Sequence, residues 1–142
     1  MWQSPYGRDT VGIEELSPGK TMDTLFLDLE TTGLNPLTDG IVEIAIVDQA
    51  GGVVLNQLVN PGLPIPRRAS AVHGITDDDV AGAPSVATVW SEVRPILEGC
   101  RVVIYNASFD KRFFPGDLGW AGDVQCAMQA FRQYMRNSEP NC

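Results

Sequence analysis

The amino-acid sequence predicts a three-layer α/β domain, and three observations carry that prediction. Three largely apolar runs of strand length follow one another between residues 24 and 59. Apolar residues then recur at helical spacing from Val86 to Leu97, and a further apolar run covers Arg101 to Tyr105. Helical segments complete the chain. Three strands followed by a helix, a strand and more helices indicate helices packed on a sheet.

The first half of the chain predicts an antiparallel meander of three strands. We expect strands from Thr24 to Glu30, Ile41 to Asp48 and Val53 to Val59, the last two joined by a turn at residues 49–52. Residues 60–66 contain three prolines and a glycine, so we expect irregular structure there.

Two helix starts are expected next. Thr76 and Asp79 have the spacing of a capping box. The acidic run at residues 77–79 therefore favours the start of a helix over a metal site. The helix that follows Ser85 contains Pro95, which removes one backbone hydrogen bond. We therefore expect it to kink or end near its last turn.

The last part of the chain is expected to be helical. A short helix from Ala107 to Phe114 is stopped by Pro115, and Asp123 is expected to cap a final helix from Val124 to Arg136. Met128, Phe131 and Met135 recur at helical spacing, so we expect them to form its buried stripe.

Length and composition predict one cytoplasmic domain. The 142 residues suffice for one core, with residues 1–22 as a flexible lead-in and residues 23–142 as the domain. The three cysteines are far apart, so we expect reduced thiols. No run has the length or pattern of an export signal or a membrane span, so we expect no membrane partner.

The net charge of −8 argues against broad adhesion to nucleic acid, which requires clustered bases. The excess lies in residues 23–99, which hold 11 acids and three bases, whereas residues 100–142 hold four acids and five bases. Any contact with nucleic acid is therefore expected to be confined to a strand end in a pocket.

Two acidic segments are candidates for chemistry. Asp28 and Glu30 lie two residues apart in a predicted strand, so both project to one side, where a hard cation such as Mg²⁺ would relieve their repulsion. Taken alone, Asp-x-Glu favours ordinary acids on a polar face, because this three-residue pattern is common by chance. Asp110 lies in the first turn of a helix that follows a predicted strand. It either faces the pocket or is an ordinary first-turn acid, in which case Asn106 is a simple N-cap.

Three segments together resemble the DEDD superfamily of 3′ to 5′ exonucleases, which includes the proofreading subunit of bacterial replicative DNA polymerase and ribonuclease T. They are FLDLETTGL at residues 26–34, VHGIT at 72–76 and YNASFD at 105–110. The resemblance covers about residues 23–130. It implies a ribonuclease H-like fold with a mixed five-stranded sheet, here truncated at the C-terminus.

The resemblance also implies a mechanism and a site. In the family, the matching acids bind two divalent cations, Mg²⁺ or Mn²⁺, which here implies Asp28, Glu30 and Asp110 as metal ligands and catalytic residues. Two such ions serve both ends of an in-line displacement in phosphodiester hydrolysis. Thr31, Gly33, Leu34 and Asn106 are the substrate-binding candidates, and Gly33 would let a nucleotide approach the backbone closely. The substrate would be a single-stranded 3′ end of DNA or RNA.

The family's third motif, a histidine followed by an aspartate, has no counterpart in these 142 residues. The sole histidine, His73, lies in VHGIT; it is either a base or, more in keeping with its position, an N-cap or a loop brace. We therefore expect a metal-dependent exonuclease that releases nucleoside monophosphates. The alternatives are a catalytically impaired domain that binds nucleic acid or a partner, and a partner chain that supplies the missing helix. Without that helix, a homo-oligomer or a partner chain is expected to cover the apolar face beside Val103.

Overall fold

The structure, a computed structural model, describes residues 22–138. The predicted lead-in therefore lies outside the described residues except for Met22, and so does Cys142. The secondary-structure elements in chain order are β1 (Thr24–Thr31), β2 (Ile41–Asp48), β3 (Val53–Leu58), α1 (Arg67–His73), α2 (Asp77–Val80), α3 (Val86–Leu97), β4 (Arg101–Ile104), α4 (Ala107–Asp110), two 3₁₀ turns (Lys111–Phe113 and Pro115–Leu118), β5 (Asp123–Cys126) and α5 (Ala127–Ser138).

The five strands form one mixed sheet in the order β3-β2-β1-β4-β5. The pairs β1–β2 and β2–β3 are antiparallel, whereas β1–β4 and β4–β5 are parallel. This is the predicted meander, extended on one side by two parallel strands. The predicted class, an α/β fold with a mixed five-stranded sheet, is confirmed.

Alternate residues of β1 determine which face of the sheet is buried. Leu25, Leu27 and Leu29 are buried and share one hydrophobic core with Val102 and Ile104 of β4. The buried residues of α3 complete that core, and they lie on one stripe of the helix: Val89, Val93 and Leu97. The core thus fixes β1 and β4 side by side, with their carboxyl ends at the same edge of the sheet.

A smaller core fixes the segment between β3 and α3. Val42 of β2 packs with Ile65, Ile75 and Val80. The helix α1 in this segment was not predicted. It begins after Pro66 and ends at Gly74, which adopts φ 77° as the left-handed residue that terminates the helix.

The acidic run at the start of α2 is a helix start, as expected. The Asp79 carboxylate accepts hydrogen bonds from the backbone N–H of Thr76 at 2.8 Å and from its hydroxyl at 3.0 Å. These bonds lower the pKa of Asp79. The Asp77 carboxylate accepts from the backbone N–H of Ile65 at 2.8 Å, so both side chains are engaged in local structure.

Pro95 lies inside α3, which ends two residues later at Leu97, as expected for a proline in the last turn. The helix predicted from Ala107 to Phe114 is shorter than expected. Its α-helical part ends at Asp110, and a 3₁₀ turn follows.

The prediction for Asp123 and the final helix was wrong in part. Residues 123–126 form strand β5 and pair with β4, with Val124 opposite Val102, so Asp123 is no helix cap. The final helix α5 begins three residues later than predicted, at Ala127.

The predicted buried stripe of α5 was also wrong. The side chains of Phe131 and Met135 are 63% and 50% exposed, and Met128 is only partly buried. Among residues 22–138, no helix is long and apolar enough to cross a membrane.

Candidate active site

The three predicted acids lie near one another at the carboxyl ends of β1 and β4. Asp28 and Glu30 project from the face of β1 opposite its buried leucines, since successive side chains of a strand alternate. Leu27 pairs with Ile104, the last residue of β4, and α4 follows at once with Asp110 at its end. The parallel pairing of β1 with β4 therefore brings Asp110 to the end of β1.

The electrostatics show that these carboxylates share one neighbourhood. Burial raises the pKa of Asp110 to about 6, and the nearby charges of Asp28 and Glu30 contribute to the rise. Asp110 is 7% exposed, one of two buried polar or charged residues among those described. The charge of Asp110 is therefore disfavoured in this structure unless a cation compensates for it.

Glu30 shows the same effect in a weaker form. Burial raises its pKa, followed by the charge of Asp28, while His73 acts in the opposite direction and Glu43 adds a smaller increase. Glu43 lies directly opposite Glu30 in the antiparallel pair of β1 and β2. Sequence reasoning missed Glu43 as a member of this acidic group, although the register of the meander would have indicated it.

The donors do not form a compact chelating group. Within residues 22–138, no three His, Cys, Asp or Glu side chains stand close enough together to be a ready metal site. The donor chemistry nevertheless suits a hard divalent ion, because the converging groups are carboxylates and the pKa values of two of them are raised.

His73 braces the site from outside. Its Nδ1 accepts a hydrogen bond from the backbone N–H of Ile75 at 3.1 Å, so its Nε2 carries the proton and donates to the carbonyl of Thr31 at 3.2 Å. Both ring nitrogens are thereby engaged with the backbone. The histidine joins the VHGIT segment to the end of β1, which favours the brace over the base.

The substrate-binding candidates lie around this centre. Leu34 is 79% exposed on the loop that follows β1. The hydroxyl of Thr31 donates to the carbonyl of Gly33 at 2.7 Å, which makes a tight bend directly after Glu30. Asn106 is the N-cap residue of α4, and its carbonyl, not its side chain, accepts from the backbone of Phe109 and Asp110.

The comparison with protein families identifies the class of protein that this fold and site define. A family model described as an exonuclease family, RNase_T, matches residues 25–139, most of the chain. The chain belongs to this exonuclease family. The resemblance to the DEDD exonucleases is thereby confirmed, together with the ribonuclease H-like fold.

Individual relatives agree with this assignment. The chain is 46% identical over 90 residues to an uncharacterized exonuclease of Escherichia phage 186, CP81, covering 63% of this chain and 46% of that protein. It is 43% identical over 103 residues to a DNA polymerase III subunit epsilon-like protein of Rhodobacter capsulatus, covering 68% of this chain and 15% of that protein. The chain thus spans less than half the length of either relative.

Solved structures give the same result. Exonuclease X in complex with 5′ overhanging duplex DNA superimposes with a TM-score of 0.63 at 37% identity, over 78% of this chain and 63% of that one. A product-bound exonuclease I gives a TM-score of 0.71 at 16% identity, over 86% of this chain and 34% of that one. The second likeness concerns the fold alone.

Proposed function

We propose that this protein is a metal-dependent 3′ to 5′ exonuclease that releases nucleoside monophosphates from nucleic-acid 3′ ends. One observation carries the proposal: the buried Asp110 carboxyl, 80 residues beyond Glu30, lies within the electrostatic reach of Asp28 and Glu30. Membership of the exonuclease family supports it. The DNA bound to exonuclease X supports a nucleic-acid substrate, and we propose a single-stranded 3′ end of DNA or RNA.

The residues of the site would have two roles, metal binding and positioning of the substrate. Asp28, Glu30 and Asp110 would bind two divalent cations, Mg²⁺ or Mn²⁺, because they offer only oxygen donors with mutually repelling charges. When bound, such ions activate water and stabilise the departing 3′ oxygen. Leu34, Thr31 and Gly33 would position the terminal nucleotide beside these acids.

A catalytically impaired binding domain is the second candidate, and His73 is the observation that favours it. In this geometry both of its ring nitrogens are used by the backbone, so it is not free to take a proton from water. No other histidine occurs in the sequence. Such a domain would bind metal and a nucleic-acid end or a partner protein with little turnover.

An end-labelled oligonucleotide assay tests these two functions. In Mn²⁺ the wild type is expected to shorten a 5′-labelled single strand stepwise from its free 3′ hydroxyl, slower by about 10² to 10⁴-fold than a family member that has a general base. Glu30→Gln is expected to abolish the shortening. Glu92→Gln on the exposed surface of α3 makes the same charge change and should leave the rate unchanged.

The outcomes separate the candidates. Internal cleavage, shortening from the 5′ end or full activity of Glu30→Gln would contradict the exonuclease proposal. Metal-dependent binding of the oligonucleotide without any shortening would support the binding domain instead.

We also propose that a second copy of the chain covers the apolar part of the open face beside Val103 and leaves the acids accessible. This face is apolar where it is formed by Phe26, Val103 and Tyr105, and acidic at Asp28 and Glu30. The exposed helix α5 carries Arg132 and Arg136 and no acid, so its charge complements that face.

A further inference from the structure

The loop between β1 and β2 carries three of the four substrate-binding candidates. Thr31, Gly33 and Leu34 lie directly beyond Glu30, and Leu34 projects into solvent while the neighbouring Thr32 is fully buried. The conformation of this loop therefore decides where the three residues can meet a nucleotide.

Asp39 closes this loop with both of its carboxylate oxygens. Its Oδ1 accepts a hydrogen bond from the Thr32 hydroxyl at 3.2 Å, and its Oδ2 accepts from the backbone N–H of Asn35 at 2.9 Å. The Thr32 hydroxyl in turn accepts from the backbone N–H of Gly40 at 3.0 Å, and the Thr32 N–H donates to the Gly40 carbonyl at 2.8 Å. The carboxylate thus joins the start and the middle of the loop to its end.

Gly33 is packed against the same carboxylate. A Cβ atom at this position would lie 2.6 Å from the Asp39 Cγ, closer than the 3.0 Å that real Cβ atoms respect. Gly33 is absent from the glycines with positive φ among the described residues, so its backbone would accept a side chain. A side chain at position 33 would therefore displace the Asp39 carboxylate, which gives the glycine a role that the sequence did not suggest.

We infer that Asp39 is a positioning residue, whose carboxylate holds residues 31–34 in the conformation that receives a nucleic-acid 3′ end. This inference rests on the proposed function. Asp39 acts through Thr32 and Gly33, and its hydrogen bonds go to the loop, not to the acids of the site. Loss of the carboxylate should therefore weaken binding of the nucleic-acid end while metal binding at Asp28, Glu30 and Asp110 persists.

The chain contains a matched control at the other end of the sheet. The Asp48 carboxylate accepts from the backbone N–H groups of Ala50 at 2.9 Å and Gly52 at 2.8 Å, and a Cβ on Gly52 would lie 2.7 Å from its Oδ2. Asp48 pairs with Leu25 at the start of β1, whereas Glu43 pairs with Glu30 at its end. The two aspartates thus hold two similar loops, of which only one adjoins the site.

The experiment compares Asp39→Ala with Asp48→Ala. The probe is a 5′-fluorescein-labelled oligothymidylate with a phosphorothioate at its last linkage, followed by anisotropy in Mn²⁺, and Mn²⁺ affinity is measured separately. Asp39→Ala should lose about tenfold in oligonucleotide affinity with Mn²⁺ affinity changed by less than about threefold, where tenfold corresponds to about 1.4 kcal/mol. Asp48→Ala should leave both affinities within about twofold of wild type, since its hydrogen bonds are local to the distant turn.

Two further variants test the packing of Asp39 on Gly33. Asp39→Asn should recover most of the affinity, because its amide can accept from Asn35 and donate to Thr32. Gly33→Ala should weaken oligonucleotide binding in the wild type but cost little more in the Asp39→Ala background, where the clashing carboxylate is gone.

The outcomes are distinct. Equal oligonucleotide affinity of Asp39→Ala and wild type, equal losses in Asp39→Ala and Asp48→Ala, or a parallel loss of Mn²⁺ affinity would each overturn the positioning role. A wild type that binds Mn²⁺ but no oligonucleotide would overturn the proposed function itself, and the positioning role with it.

Discussion

The two faces of the sheet carry different kinds of side chain. On one face the leucines of β1, such as Leu27, pack with α3 into a core that is almost completely buried. On the other face, the side chains of Phe26 and Tyr105 are 40% and 71% exposed, and Asp28 lies beside them. Since neighbouring residues alternate between these faces, one short strand supplies both stability and the candidate chemistry.

The open face is shallow and mostly apolar. Phe26, Val47, Val103 and Tyr105 line a cavity of about 320 Å³ that also touches Asp28 and Ala127, the first residue of α5. The packed face of β1 and β4 is formed instead by buried aliphatic residues, such as Leu25, Leu27 and Val102. Solvent and ligands can therefore reach Asp28 from the open face.

The largest expected effect is on stability, and it contrasts two neighbouring residues of β1 that face opposite sides of the sheet. Leu27→Ala should lower the free energy of unfolding by about 3 kcal/mol, because it leaves a cavity in the core. Phe26→Ala should cost only about 1 kcal/mol although phenylalanine is larger, because much of its side chain already meets water. Urea denaturation measures both, and equal costs would show that the open face is covered in solution.

The second prediction concerns the raised pKa of the buried Asp110 carboxyl. The pKa of Asp110 in the folded protein, about 6, lies above its ordinary value of 3.8, so the folded state holds the proton more tightly. The stabilisation is complete below pH 3.8 and is lost as the pH rises through 6. In EDTA, the wild type should therefore be less stable at pH 7.5 than at pH 5, by on the order of 1 to 2 kcal/mol.

Asp110→Asn tests this directly by thermal melting. It should stabilise the metal-free protein at pH 7.5 and flatten its pH dependence, whereas Asp78→Asn, an exposed acid of α2, should change neither. Added Mn²⁺ should raise the melting temperature of the wild type more than that of Asp110→Asn, since a ligand that binds the folded site stabilises it. If metal-free Asp110→Asn is less stable than the wild type at pH 7.5, then the charge of Asp110 does not destabilise the folded protein.

From the sequence, the face of β1 that carries the acids could be predicted more accurately than the strands at the edges of the sheet. β2 has the predicted bounds, and Asp28 and Glu30 are on one face, because strict alternation in a strand is a local property. Strand β5 is four residues long and acquires its identity from pairing with β4, so local propensity could not indicate it. The contacts of Glu43 and Asp39 likewise depend on register and loop closure, which join residues that are distant in sequence.

The final prediction concerns association through the open face, and its effect on stability should be the smallest. Apolar patches of this kind are seldom left exposed on soluble monomers, so we expect the wild type to self-associate at about 100 µM protein, with α5 at the contact. The Phe131 side chain is 63% exposed on α5, so Phe131→Glu places a charge there and should shift the light-scattering mass toward the monomer with little change in melting temperature. Leu63→Glu, a surface substitution of an exposed residue outside the sheet, should leave the mass unchanged. A wild type that remains strictly monomeric at that concentration would mean that the open face is stable in water as it stands, and that its exposure serves the site alone.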